Sequence, residues 1–149
     1  MSTTFDFGSG PVPAHRHPNG GGWVADTARV DDSAYIGPAA WVFGDARVSG
    51  DALVYGDARV FGDAWVSGDA LVYGDATIAK SSDYLLIGPI GSRADFMTWT
   101  RSDNCIATGC FRGTIEEFLA AVRETHGDNE HAKAYRAAMN FIRAMEKLA

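Results

Sequence analysis

From Val24 to Ile78 an aliphatic residue returns at every sixth position: Val24, Val30, Ile36, Val42, Val48, Val54, Val60, Val66, Val72 and Ile78. Alanine stands two residues earlier from Ala28 to Ala76, and a Gly-Asp pair precedes each of the last six alanines. A period of six fits neither a helix of about 3.6 residues per turn nor a simple alternating strand. It fits a solenoid in which each hexad is one short strand and one corner. Gly and Asp suit the corner, because both tolerate turn conformations that β-branched residues resist. Ala fills the cramped inner side of the corner, and Val or Ile fills the axis. Residues 44–61 and 62–79 are identical at 14 of 18 positions. Three hexads therefore form one turn of a triangular prism, and residues 23–79 predict about three such coils.

The outward positions sort into three faces. One is mostly polar, with Arg29, Asp31, Arg47, Ser49, Trp65 and Ser67. The second carries Tyr35, Leu53, Tyr55, Leu71 and Tyr73, and the third Trp23, Trp41, Phe43, Arg59, Phe61 and Thr77. Exposed aromatic patches of this extent mark interfaces, and a prism that buries two faces suits a three-fold ring. The expectation is a homotrimer joined through Trp41, Phe43, Leu53, Tyr55, Phe61, Leu71 and Tyr73. Columns such as Phe43/Phe61 and Tyr55/Tyr73 could alternatively stack a ligand. The Gly-Asp-Ala-x-Val-x repeat resembles the hexapeptide-repeat family, which implies a left-handed parallel β-helix.

The flanks lack this period. Residues 1–22 are Gly- and Pro-rich and read as an irregular lead-in along the first coil. His15 and His17 in that stretch are expected to be solvated rather than a metal pair. After Ile78 come three strand-like runs, Tyr84–Ile90, Phe96–Arg101 and Cys105–Phe111, separated by turn residues. Thr114 and Glu117 form a capping box that starts a helix at Ile115 and runs to His126, where Gly127 stops it. Asp128 is placed to cap a second helix, whose Tyr135, Ala138, Met139, Ile142 and Met145 share one face. The domain reading is thus a lead-in over 1–22, a trimerising solenoid over 23–79 and an α+β module over 80–149. The string YLLIGPIGSR…TGCFRGTIEEFLAAVRETHGDN…Y resembles the ending of phage and prophage proteins that join similar hexads to the same module. The resemblance implies a protein of viral or prophage origin.

Composition narrows the function classes. Apolar residues are 46% of the 149-residue chain and charged residues 21%, which is ordinary for a globular protein. The net charge of −6 argues against duplex nucleic-acid binding, which needs a basic footprint. No apolar run approaches the ~20 residues of a membrane helix. The N-terminal residues lack the basic and apolar regions of a secretory signal, so a cytoplasmic protein is expected.

Catalytic chemistry is hard to place. Familiar proteins of this fold are acyltransferases, an analogy of fold alone. That reaction needs a general base, usually His. All four histidines, His15, His17, His126 and His131, lie outside residues 24–79. No GxSxG, HExxH, CxxC or P-loop pattern occurs. Cys105 and Cys110 on one strand would face opposite ways and act as small hydrophobes. No catalytic residue, metal or cofactor is assigned.

The C-terminal module offers an anion-binding set instead. Ser92 and Arg93 lie in a Gly-bounded turn, Thr98, Trp99 and Arg101 on the next strand, and Arg112 beyond the third. Turn N–H groups and arginine forks suit phosphate, and Trp99 could stack a base. The family that the chain resembles has no assigned function, but oligomeric phage proteins sequester nucleotide signals of host immunity, and the phage context together with the placement of the arginines makes that role the expectation here. The expected function is non-enzymatic sequestration of a small anionic, nucleotide-like ligand. The alternatives are a hexapeptide-repeat acyltransferase, or a structural or host-protein-binding trimer that displays the module.

Overall fold

The computed structural model describes residues 3–92, 94–108 and 111–147. Two antiparallel strands come first, β1 (Thr4–Asp6) and β2 (Pro11–Arg16). The solenoid follows as β3 (Trp23–Ala25), β4 (Arg29–Val30), β5 (Tyr35–Ile36), β6 (Trp41–Val42), β7 (Arg47–Val48), β8 (Leu53–Val54), β9 (Arg59–Val60), β10 (Trp65–Val66), β11 (Leu71–Val72) and β12 (Thr77–Ile78). Strands three apart pair in parallel, so β4, β7 and β10 make one face and β5, β8 and β11 the second. The third face runs β3, β6, β9 and β12. Its register sets Val24 beside Val42 and Val42 beside Val60, eighteen residues per coil. The chain is a three-sided β-solenoid of about three coils, and its outward positions fall on the faces that the six-residue period assigns.

The inside of the prism is a column of small and branched side chains. Ile36, Val42, Val54, Val60, Val66, Val72 and the corner alanines Ala34 through Ala76 are all fully buried. Parallel strands buried this way need no polar alternation on the inside. Gly56 shows why glycine holds the corner: its φ is +65°, and a Cβ there would stand 2.8 Å from the Gly74 backbone nitrogen of the next coil.

The stretch expected to be irregular holds two strands, β1 and β2. β2 lies antiparallel to β3 and extends the third face of the prism. Phe5 stacks on Trp23 at 4.6 Å between ring centroids, and Phe7 on Phe43 at 4.9 Å. The lead-in does run along the first coil, but its two strands escape a sequence reading because Phe5 and Phe7 find their partners only once the prism exists. The histidines divide accordingly. His15 Nδ1 is 2.7 Å from the Asp26 carboxylate, whereas His17 is buried and its Nε2–H donates to the Ala34 carbonyl at 2.8 Å. His17 is therefore not a solvated loop side chain.

The rest of the chain is a sheet and two helices. The strands are β13 (Tyr84–Ile90), β14 (Asp95–Thr100), β15 (Cys105–Thr108) and β16 (Phe111–Thr114), paired antiparallel in sequence order. The helices are α1 (Ile115–His126) and α2 (Glu130–Glu146). Four strands replace the expected three because the run read as Cys105–Phe111 ends at Thr108, and Phe111–Thr114 pairs back on it. Cys110 and Gly109 lie outside the described residues. Asn129, not Asp128, caps α2, accepting the Ala132 N–H at 3.0 Å. One face of the sheet sits on the solenoid and the other on the helices. Tyr84 and Leu86 pack against the solenoid core, and Leu85, Ile87, Met97, Trp99 and Ile106 join Phe118, Met139 and Ile142 in a second core. This double burial explains why Tyr84–Ile87 is apolar without alternation.

The module closes the end of the solenoid. Along the prism each coil donates backbone N–H groups to the carbonyls of the next, as Arg29 does to Ala46 and Arg47 to Ala64, both at 2.9 Å. The last coil has no successor, and side-chain oxygens take its place. The N–H of Leu71 donates to Thr98 Oγ1 at 2.8 Å, that of Thr77 to Ser102 Oγ at 2.8 Å, and that of Trp65 to Ser81 Oγ at 3.2 Å. Ala79 N–H donates to the Asp83 carboxylate at 2.9 Å. At the opposite end the orphans are carbonyls, and donors meet them. Beside His17, Asn19 Nδ2 reaches Ala34 O at 3.2 Å, and Gly22 N–H reaches Ile36 O at 2.9 Å. An exposed sheet edge is thereby covered at both ends.

Candidate functional site

The six residues expected to hold an anion do not form one site. Arg93 lies outside the described residues. Thr98 is 1% exposed and occupied as the cap of Leu71. Trp99 is also 1% exposed, inside the module core, with its Nε1–H donating to Asn104 Oδ1 at 2.8 Å. Its ring offers no free face to a base. The Arg101 guanidinium lies 5.0 Å from the Trp99 ring centroid, donates to the Met145 carbonyl and stands 3.9 Å from the Asp83 carboxylate. Arg112 pairs with Asp103 and stacks 5.1 Å over Tyr73. Both arginines thus hold the module to the solenoid and to α2. Ser92 alone of the described five faces an open cavity.

That cavity, of about 330 Å³, opens between the Ser92 turn, the sheet and α1. Phe111, Phe118, Ala121 and Val122 form its apolar wall. Ser92, Asp95, Thr108, Thr125, His126 and Tyr135 supply polar atoms. The local sequence sets this up. The capping box orients α1 so that Phe118 and Val122 turn inward, one helical turn apart, with Thr125 and His126 at its last turn. Phe111 meets Phe118 edge-on at 5.4 Å, and Phe118 meets Tyr135 edge-on at 5.2 Å. His126 lies 6.1 Å from Tyr135 and 5.5 Å from His131. Gly91 is required beside it: its φ is +84°, and a Cβ would fall 1.8 Å from the Tyr135 hydroxyl. Asp95 stands 31 residues before His126 (126 − 95 = 31) and 40 before Tyr135 (135 − 95 = 40), so no local pattern marks the three as one site. Tyr135 reads from its helical spacing only as part of the apolar face of the second helix.

A second cavity, of about 300 Å³, lies under the Phe7–Gly10 loop against Phe43 and Ala25. Among the described residues no group of three or more His, Cys, Asp or Glu side chains is arranged to hold a metal ion. Burial, and then the neighbouring Asp103 carboxylate, push the Cys105 thiol up from its ordinary value, which disfavours the thiolate. Of the residues expected at a trimer interface, Trp41 and Phe43 meet Phe5 and Phe7 within the chain. Phe43 also stacks on Phe61, and Tyr55 on Tyr73, at 4.9 and 4.7 Å. The Tyr73 hydroxyl donates to the Phe111 carbonyl and Leu71 is half-buried, while Leu53 is 38% exposed.

The hexad pattern has a counterpart among known families. A model described as the YdcK Beta solenoid repeat matches residues 52–68, the stretch of β8 through β10. It is a β-solenoid repeat protein. No curated protein and no solved structure matches the chain. Among the described residues no helix is long and apolar enough to cross a membrane.

Proposed function

We propose that this β-solenoid protein is a non-enzymatic binding protein that takes up a small anionic, nucleotide-like ligand in the cavity of its C-terminal module. In this reading it withholds a signal of host immunity inside the host cytoplasm, as a phage-type protein would. The solenoid carries the module and joins three copies through surfaces that include the face bearing Leu53 and Tyr55. The cavity carries the proposal. Its volume and its apolar wall with a few polar groups suit a small ligand, and its aromatic rings suit a base. Arg101 and Arg112 are engaged in structural contacts, so recognition rests on the cavity rather than on these two arginines.

A capture-and-release assay tests this. The protein is mixed with a panel of cyclic and linear nucleotides, filtered out, and then heated so that the bound fraction can be chromatographed. The expected result is a nucleotide that leaves solution with the protein and returns unaltered on heating. A nucleotide that returns chemically changed makes the protein an enzyme. A panel that stays wholly in solution removes the proposal.

A further inference from the structure

The first face of the solenoid carries two positive charges that the fold sets side by side. Across the parallel strands β4, β7 and β10, Arg29 stands beside Arg47 and Arg47 beside Trp65. Neighbours in such a ladder are about 4.8 Å apart. Both arginines are exposed, and Trp65 is 52% exposed. Arg29 makes no hydrogen bond or ion pair with any described residue. The Arg47 guanidinium lies 5.6 Å over the Trp65 ring and pairs with no described carboxylate. The ring is itself anchored, its Nε1–H donating to Ser49 Oγ at 3.1 Å. Asp31 shares this face, but its carboxylate accepts the Gly50 N–H at 3.0 Å. Arg59 occupies the same outward position on the third face and is fully engaged. Its Nη1 donates to the carbonyls of Ala39, Asp57 and Ala58, and its guanidinium lies 3.8 Å over Trp41.

Like charges set directly opposite one another weaken the sheet that holds them. One anion between them reverses the sign of that interaction. We propose that Arg29 and Arg47 together bind a phosphate group, each guanidinium donating to it through its fork of N–H groups. The planar fork matches a tetrahedral oxyanion at two points, which neither an ammonium group nor a chloride ion can reproduce. Both side chains are exposed, so bulk salt screens their field. The forks, rather than the charge alone, therefore hold the ligand. Trp65 keeps the Arg47 guanidinium over its ring and so positions one of the two forks. The site lies on the solenoid and shares no residue with the module cavity. It is independent of nucleotide capture, and phosphate compounds that carry no base separate the two.

The test titrates the intact protein with inorganic phosphate and with methyl phosphate, at an ionic strength held constant with sodium chloride. Phosphorus NMR follows the ligand, and the thermal midpoint follows the protein. The wild type is expected to broaden the ligand signal saturably and to melt higher in phosphate than in chloride. Equal binding of methyl phosphate makes the ligand a phosphate ester, and binding of inorganic phosphate alone makes it the free ion; either supports the site. Arg29→Lys and Arg47→Lys keep the charge and lose the fork, so each should weaken binding about tenfold. Arg29→Gln relieves the repulsion. Its midpoint in chloride should match or exceed that of the wild type, and phosphate should no longer raise it. Lysine variants that bind as the wild type does would reduce the site to a general field and overturn the inference. So would an Arg29→Gln variant that melts lower in chloride, since Arg29 would then serve the fold. A wild type that responds alike to phosphate and chloride overturns it outright and leaves nucleotide capture standing.

Discussion

Glu117 shows how a single residue of the module reports on its fold. Its carboxylate accepts the Thr114 N–H at 2.9 Å, while Thr114 Oγ1 accepts the Glu117 N–H at 3.1 Å. These bonds, the backbone one first, hold the Glu117 carboxyl below the ordinary glutamate range. A depressed folded-state value means that the contribution is complete above the unfolded value of about 4.3 and is lost as pH falls through the folded one. Glutamine keeps the capping geometry without the charge. The wild type is therefore expected to exceed Glu117→Gln in urea midpoint at neutral pH, and the gap should close in acid as the Glu117 carboxyl takes up its proton. A gap that persists in acid would mean that the charge on Glu117 does not strengthen the cap. The chemistry of this motif was legible in the sequence, since both partners lie within one turn. The role of Thr98 was not, because its partner Leu71 is 27 residues away and belongs to another part of the fold.

At the level of elements, what was legible follows the length of the pattern. Ten hexads with an unbroken aliphatic position specify coil, face and register together, and α1 begins and ends at its capping signals. The elements that were missed are those whose partners lie elsewhere. β1 and β2 carry no period of their own and are ordered by Phe5 and Phe7 on the third face. No charged residue interrupts Cys105–Phe111, so the sequence reads as one run what the structure divides between β15 and the start of β16. The hydroxyl cap on the last coil is a property of the junction, and it makes a specific prediction. Thr98→Val preserves shape but leaves the Leu71 N–H without its acceptor. The cost is about 1–3 kcal/mol, read as a lower urea midpoint. An unchanged midpoint would show that water can replace this oxygen and that the end of the solenoid is not sealed by the module.

At the scale of the whole molecule, two cores meet at one sheet. The solenoid core is built of alanine and branched aliphatic side chains, whereas the module core gathers Trp99, Phe118, Met139 and Ile142. The sheet between them transmits one boundary to the other: its inner face completes the coils and its outer face, with α1, forms the cavity. The candidate site was only partly legible for this reason. Ser92 was found from its Gly-bounded turn, but Arg101 and Arg112 serve the junction, and the other side chains that shape the cavity come from α1, α2, the start of β14 and the adjoining ends of β15 and β16. The outer surface keeps Leu53 and Trp65 at 38% and 52% exposure. Leu53 marks the face through which copies are proposed to join. A native mass spectrum of the protein incubated with adenosine or guanosine monophosphate tests assembly and capture together. The account predicts a species of three times the 15.9 kDa chain mass that carries intact nucleotide. A spectrum of single chains without nucleotide, or of nucleotide with altered mass, would contradict it.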